Sequence, residues 1–319
     1  MKRIAVLSSG GDCPGMNAAI RAVVRTGISY RLDVWGIENG YRGLMEGKFV
    51  PMDLSSVGGI IQRGGTFLKT SRSEKFKSKE GLEIALKKLK ENEIDGLVTI
   101  GGDGTLRGAL DLSLLGVKTI GIPATIDNDL CGTDMSIGVD TALNTIVEAI
   151  DRIKDTASSH RRAFIIEVMG RNSGYLSLIS GIAGGVEEII IPETDYNLQD
   201  ISLKLKKGYQ RGKAHCIIVV AEGVDKTYEI AHYLKDKIGF ETRVTILGYL
   251  QRGGSPSVFD RLLASRLGAA SVEYILKDEH SKMVGLNGNN IEAIELKKVL
   301  SKKKQINPNI YNLAKILAR

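Results

Sequence analysis

Two short turns set carboxylates among glycines in a manner that suits phosphoryl transfer. Gly101-Gly102-Asp103-Gly104-Thr105 ends an apolar run and opens a helical pattern. Its glycines let backbone N–H groups approach a phosphate, the helix N-terminus adds partial positive charge, and Asp103 offers a hard oxygen to Mg²⁺. A helix cap would use Asp103 but would not need three glycines around it. The segment 123–129, PATIDND, follows another apolar run and carries Asp127 and Asp129. In an extended segment both face one side, so one can take a proton from a hydroxyl nucleophile while the other sits near metal or phosphate. An Asx turn is the competing reading of that triplet.

A third turn, SSGGDCPG at residues 8–15, joins an apolar run to a helical pattern. It suits a phosphate, but a purely structural tight turn explains it equally well. Arg72, Arg162, Arg171, Arg243 and Arg252 fall in or beside expected turns. One such arginine would read as a surface ion pair; five around one expected sheet edge point to a polyanionic substrate. His160, His215, His232 and His280 show no zinc spacing, and no G-x-S-x-G elbow occurs.

The elements that must hold these turns are legible as apolar, β-branched runs at 4–7, 34–37, 97–100, 119–122, 164–168, 217–221 and 244–247. Lack of alternation marks strands buried on both faces. Helical patterns lie between them at 16–30, 79–92, 105–115, 141–156, 202–211, 230–237 and 260–276. Strand–turn–helix repeated this often predicts a doubly wound, three-layer α/β fold, whose ligands gather at strand carboxyl ends.

Composition removes other classes. Glycine is high, 37 of 319 residues, and twelve of these stand in adjacent pairs, yet 43% hydrophobic content is enough to fill a core. Cys13, Cys131 and Cys216 are too few and too scattered for a disulfide framework or a CxxC site. No apolar run spans a membrane and the N-terminal apolar stretch is short for a signal peptide, so a soluble cytoplasmic protein is expected. The net charge of +7 comes mostly from residues 277–319, with nine basic and four acidic groups, read as a solvated helix face or tail. With aromatics at only 5%, nucleic acid is not expected as a partner.

SSGGDCPGMNAAIR, IGGDGT, PATIDND, EVMGRNSGYL, AEG and QRGGSPSVFDR occur here in the order and spacing of the bacterial ATP-dependent 6-phosphofructokinases, and the chain resembles that family from about residue 2 to at least Arg266. The resemblance implies two similar Rossmann-like domains with mostly parallel sheets, the second inserted into the first: a larger, ATP-binding one at 1–138 with 251–304 and a smaller, sugar-phosphate-binding one at 139–250 with 305–319. It implies transfer of the γ-phosphoryl of MgATP to the 1-hydroxyl of fructose 6-phosphate by a homotetramer whose sites borrow residues from a neighbour. Asp127 resembles the base, with Arg72, Arg171, Thr125 and Asp129 assisting, and Asp103 resembles the magnesium residue. Gly11, Tyr41, Arg72, Ser73, Gly102, Asp103, Gly104 and Thr105 resemble the ATP site. Thr125, Asp127, Met169, Gly170, Arg171, Glu222 and Arg252 resemble the sugar-phosphate site, with Arg162, Arg243 and Tyr249 at its 6-phosphate. Arg21, Arg25, Lys154, Gly185, Glu187, Arg211, Lys213 and His215 resemble an effector site for ADP or phosphoenolpyruvate.

The departures carry expectations of their own. Relatives that use pyrophosphate have Asp where Gly104 stands and Lys where Ala124 stands, so Gly104 speaks for ATP; Ala124 itself replaces the usual glycine. Tyr249 replaces a histidine and cannot become cationic, which predicts weaker sugar-phosphate affinity. Leu54 and Lys154 replace arginines, and Gly59 replaces an acidic residue of some members, which predicts a blunted effector response. Two other readings stay in view, an NAD or lipid kinase sharing the GGDG turn and a non-catalytic nucleotide sensor. PATIDND with QRGGSP opposes the first, and the presence of both Asp103 and Asp127 opposes the second.

Overall fold

The run RIAVLS, with almost no accessible side chain, forms the central strand β1 (Arg3–Ser8). The computed structural model describes residues 1–318. After β1 come α1 (Met16–Ser29), β2 (Asp33–Ile37), α2 (Gly40–Glu46), β3 (Phe49–Met52), α3 (Lys79–Glu91), β4 (Gly96–Gly101), α4 (Asp103–Leu114), β5 (Thr119–Pro123) and α5 (Val139–His160). The chain continues through β6 (Arg162–Val168), α6 (Tyr175–Ala183), β7 (Glu188–Ile190), α7 (Leu198–Gln210), β8 (Cys216–Ala221), α8 (Thr227–Leu234) and β9 (Glu241–Ile246). It ends with α9 (Val258–Leu276), β10 (Lys282–Asn287), β11 (Asn290–Glu295), α10 (Leu296–Leu300) and α11 (Pro308–Leu317).

Two units result. The first comprises residues 1–126, 130–141 and 252–304; the second comprises 127–129, 142–251 and the chain from Gln305 onward. The first carries a seven-stranded sheet in the order β11-β10-β5-β4-β1-β2-β3. Its inner pairs are parallel, while β2–β3 and β10–β11 are antiparallel at the two edges. Strand order reverses between β1 and β4, so their carboxyl ends open a crevice of the kind that receives ligands. Ala5, Leu7, Ile37, Leu97 and Leu112 pack with Tyr41 and Phe76 in one core of this unit. The second unit has an all-parallel sheet, β7-β8-β6-β9. Ile165, Ile218, Val220, Ile230 and Phe240 lie in its core, with reversal of strand order at β6 and β9.

Every expected strand and helix has a counterpart, and the lysine-rich C-terminal part bears out the solvated helix face rather than the tail, with Lys297, Lys298 and Lys315 exposed on helices. It forms the β10–β11 hairpin around Gly288, whose φ is +58°, and two short helices. The two-residue loop Gly288-Asn289 is a hairpin signal that the charge pattern masked. Lys304 donates its ammonium to the carbonyls of Thr133 and Asp134, so this lysine is structural. β3, β7 and the helices α2 and α6 were also not expected, because runs of three to nine residues are too short to display a period.

The start of β1 rests on a charge-assisted bond. Asp95 Oδ2 accepts the backbone N–H of Lys2 at 2.5 Å and of Arg3 at 3.0 Å, and these bonds hold its carboxyl below the ordinary aspartate range. A depressed folded-state value stabilises above the ordinary value of 3.8 and is lost as pH falls through the folded-state value. Asp95→Ala is therefore expected to lower stability at neutral pH by about 1 kcal/mol after solvent screening. The difference from the unaltered protein should shrink in thermal melts taken at progressively lower pH below that ordinary value.

Candidate active site

The crevice of the first unit is formed by two glycine turns that meet. Ser8 pairs with Ile100, the Ser9 N–H donates to the Ile100 carbonyl at 3.0 Å, and Thr105 Oγ1 donates to the Ser9 carbonyl at 2.8 Å. The turn after β4 runs straight into α4 with Gly102, which has no side chain to cap the helix, at the cap position. Asp103 is thus no cap; its carboxylate is half-exposed in the first helical turn, 3.7 Å from Arg107. A Cβ on Gly104 would meet no atom within 4 Å, so open space faces this end of the helix. Amides, positive helix pole, nearby carboxylate and room together make a phosphate cradle.

Gly11 and Arg252 come together: the guanidinium stands 3.3 Å from the place a Gly11 Cβ would take. Thr125 lies over Gly102, its Cβ 3.4 Å from a Cβ built there, and its N–H donates to the Ile137 carbonyl. Arg72 is exposed, and Ser73 Oγ accepts the Phe76 N–H at 3.3 Å. Tyr41 lies beneath the start of α4. Its ring is buried and stacked on Phe76 at 4.0 Å, and its hydroxyl donates to the Thr105 carbonyl at 2.6 Å. Burial pushes the phenol far up, so it stays a donor and supports the cradle from beneath.

In the second unit the site gathers at the carboxyl ends of β6 and β8. Arg171, in left-handed backbone with φ 50°, lies 3.6 Å from Asp127 Oδ2, and the Asp127 side chain is 9% exposed. Glu222 Oε2 accepts the N–H groups of Gly170 and Arg171, both at 3.3 Å. Met169, Gly170, Arg171, Glu222 and Asp127 are therefore held around one place. The extended reading of 127–129 is corrected: the chain turns at Ile126–Asp127, and Asn128 is left-handed with φ 48°. Strand alternation thus does not apply, and Asp127 is buried while Asp129 is half-buried.

Arg162 and Arg243 are not brought to that place. They sit in strands β6 and β9, where both pair with Glu241. Their hydrogen bonds hold its carboxyl below the ordinary range, Arg162 contributing most. Arg243 is inside a strand, not at a turn as expected. Arg162 starts β6 and Arg171 lies beyond its end, roughly 20 Å away at the strand rise of about 3.3 Å per residue. Tyr249 is exposed in a single helical turn after β9.

Several second-unit residues of the resemblance's effector set lie near one another. Glu187, Arg211, Lys213 and His215 line a cavity of about 500 Å³. Lys213 pairs with Glu187 at 3.3 Å, His215 Nδ1 bonds Ser158 Oγ, and the Lys154 ammonium bonds the Gly184 carbonyl beside Gly185. Arg21 and Arg25 lie one turn apart on α1. Leu54 is an exposed apolar side chain.

Other supports were missed because they are neither charged turns nor glycines. Gln251, fully buried, accepts the Met169 N–H at 3.1 Å and donates to the Gly248 carbonyl. Asp260, also fully buried, accepts from the Gly138 and Thr141 N–H groups and the Thr141 hydroxyl, capping α5 from a different helix.

A doubly wound fold with a glycine cradle at a helix N-terminus, and a buried carboxylate beside an arginine, defines a nucleotide-dependent phosphotransferase. The sequence pattern of the Phosphofructokinase family matches residues 3–275. The chain is 56% identical to the ATP-dependent 6-phosphofructokinase of Halothermothrix orenii and 51% identical to that of Bacillus subtilis, covering all of each protein. Among solved structures, phosphofructokinase from Saccharomyces cerevisiae matches with a TM-score of 0.90 and 36% identity over 99% of this chain, which spans 47% of that one. A pyrophosphate-dependent phosphofructokinase from Marinobacter aquaeolei shares the fold, with a TM-score of 0.87 at 22% identity, over 97% of this chain and 86% of that one. The chain belongs to the phosphofructokinase family.

The open space at Gly104 yields a direct test. Gly104→Asp would set a carboxylate against the nucleotide phosphates, and the apparent KM for ATP should rise roughly ten-fold or more. Steady-state kinetics with ATP varied would measure it; an unchanged KM would mean that phosphate does not bind there.

Proposed function

We propose that this chain is a glycolytic kinase of the cytoplasm that transfers the γ-phosphoryl group of ATP to the 1-hydroxyl of D-fructose 6-phosphate, giving fructose 1,6-bisphosphate and ADP. The observation that carries the reading is the buried Asp127 carboxylate with Arg171 at 3.6 Å, in a chain identical at 56% to an ATP-dependent 6-phosphofructokinase over its whole length.

The roles follow from the chemistry. Asp127 takes the proton of the 1-hydroxyl as that oxygen bonds the γ-phosphorus, and the bond to the β-phosphate oxygen breaks with its electron pair leaving on ADP. Asp129 would hold Mg²⁺ or its waters close to the phosphates. Arg171 and Arg72 offset charge on the moving phosphoryl group, and the amides of 102–105 hold the nucleotide phosphates. Thr125 and Glu222 orient the sugar and its loop, with Glu222 bonding the amides of 170 and 171.

Mg²⁺ fits this donor set. No three His, Cys, Asp or Glu side chains converge into a metal cage among the described residues, whereas a half-exposed Asp103 offers one hard oxygen. A cation arriving on the nucleotide phosphates and keeping its waters needs little more. When bound, Mg²⁺ neutralises phosphate charge.

The roughly 20 Å between Arg162 and Arg171 supports a homotetramer in which Arg162 and Arg243 meet the 6-phosphate of a neighbouring subunit's sugar, since one sugar phosphate cannot touch both ends of β6. Glu241 holds these arginines in the meantime. The cavity at Glu187, Arg211, Lys213 and His215 supports an ADP or phosphoenolpyruvate site. No helix among the described residues is long and apolar enough to cross a membrane.

Asp127→Ser should lower kcat roughly 10²–10⁴-fold with far less effect on ATP binding. ADP release, coupled to a dehydrogenase readout, should require fructose 6-phosphate and should not respond to NAD or a diacylglycerol. Release with those acceptors, or none with any, would replace this reading.

Regulation has its own test. With Leu54 exposed and Lys154 lacking a bidentate fork, ADP and phosphoenolpyruvate should each shift the half-saturating fructose 6-phosphate concentration only about two-fold. A strongly sigmoidal rate curve moved far by both would overturn it.

A further inference from the structure

Between Met52 and Lys75 the chain forms neither helix nor strand, yet this stretch carries Arg72. An irregular segment of that length holds a side chain in one place only if its backbone groups are fastened. Burial of Val57, Ile60 and Leu68 anchors the segment, the N–H groups of Gly58, Arg63 and Lys69 close short turns within it, and the Leu68 carbonyl accepts the Asn39 N–H at 2.8 Å.

A side-chain bracket on residues 63–67 comes from one amide. Asn17, the second residue of α1 and 2% exposed, donates Nδ2 to the Arg63 carbonyl at 3.0 Å and the Gly64 carbonyl at 3.1 Å, and its Oδ1 accepts the Phe67 N–H at 2.8 Å. It spends both donors and an acceptor on this one segment, inside the apolar run Met16, Ala18, Ala19 and Ile20. Further bonds lead from that bracket toward Arg72. Ser8 Oγ bonds Thr66 Oγ1 at 2.6 Å and the Lys69 carbonyl at 3.1 Å, and Thr70 Oγ1 donates to the Gly10 carbonyl at 2.8 Å. The bracketed backbone also lies against the loop after Arg252: a Cβ on Gly64 would stand 2.3 Å from the Gly254 carbonyl oxygen.

We infer that Asn17 is a positioning residue for phosphoryl transfer, acting through Arg72 by bracketing residues 63–67 on the N-terminus of α1. The inference rests on the reading of Arg72 given above. Asn17 touches no substrate in this scheme. It sets the distance from the phosphate turn to the guanidinium, and displacement of a charge-stabilising group by about 1 Å can cost on the order of a hundred-fold in rate.

The test is a double-mutant cycle in the full-length protein with ATP and fructose 6-phosphate. Asn17→Ala should lower kcat roughly ten-fold to a hundred-fold, with the KM for ATP changed less than about two-fold, and in the Arg72→Ala background it should cost less than about two-fold. Asn17→Asp, of the same shape but lacking both donors, should match Asn17→Ala. Exchange of the Phe67 amide proton should quicken in both. If Asn17→Ala fails to fold, Thr66→Val removes the neighbouring fastening and should show the same dependence on Arg72. An equal loss of kcat in the two backgrounds overturns the inference, as does a full rate for Asn17→Asp. A normal kcat for Arg72→Ala alone removes Arg72 from the chemistry, and this inference falls with it.

Discussion

A Cβ on Gly101 would stand 2.4 Å from both the Ser9 carbonyl oxygen and the Thr105 hydroxyl. That contact is the constraint on which the first unit depends. It brings the turn after β1 and the turn after β4 together, so that two sets of amides open on one crevice. Any larger residue would force them apart, and with them the start of α4 and the Tyr41 hydroxyl that holds it. The turns lie where strand order reverses, and a helix N-terminus leaves its first N–H groups without partners four residues back in the helix.

The second unit solves a comparable problem with a carboxylate. Glu222 bonds the amides of Gly170 and Arg171, and a Cβ on Gly223 would stand 2.0 Å from the Arg171 carbonyl oxygen. Arg171 is thereby kept in left-handed backbone, a conformation that costs energy for a non-glycine residue and persists only under such bracing. Its guanidinium then reaches Asp127. Both units therefore obtain precision where β6 or β4 ends, from one close approach and a few hydrogen bonds across it.

Arginine and glutamate relate differently at the other end of β6. Arg162 on the inner strand β6 and Arg243 on the edge strand β9 share Glu241, a contact in solvent worth little by itself. A loosely held pair of arginines is suited to exchange its carboxylate for a phosphate, whose greater charge competes well. The cavity beside α7 shows the same economy, with Lys213 resting on Glu187.

How much of this was legible beforehand depends on whether a feature declares itself locally. Strand runs, helical periods, the glycine turns and the acidic triplet all do, because buried parallel strands are apolar without alternation and phosphate turns need glycine. The family resemblance also stood in the motifs themselves, and the full-length relatives agree with it. What tertiary structure alone decided is pairing across the chain. Asn17 reads as one polar residue in an apolar helix until residues 63–67 arrive above it. Asp260 reads as a helix-start acid until it is buried against the N-terminus of α5, and nothing along the chain joins Tyr41 to Thr105 until its hydroxyl meets that carbonyl. The residue types were determined by the sequence. Their roles were decided by distance, because a hydrogen bond acts over about 3 Å in space and carries no mark of separation along the chain.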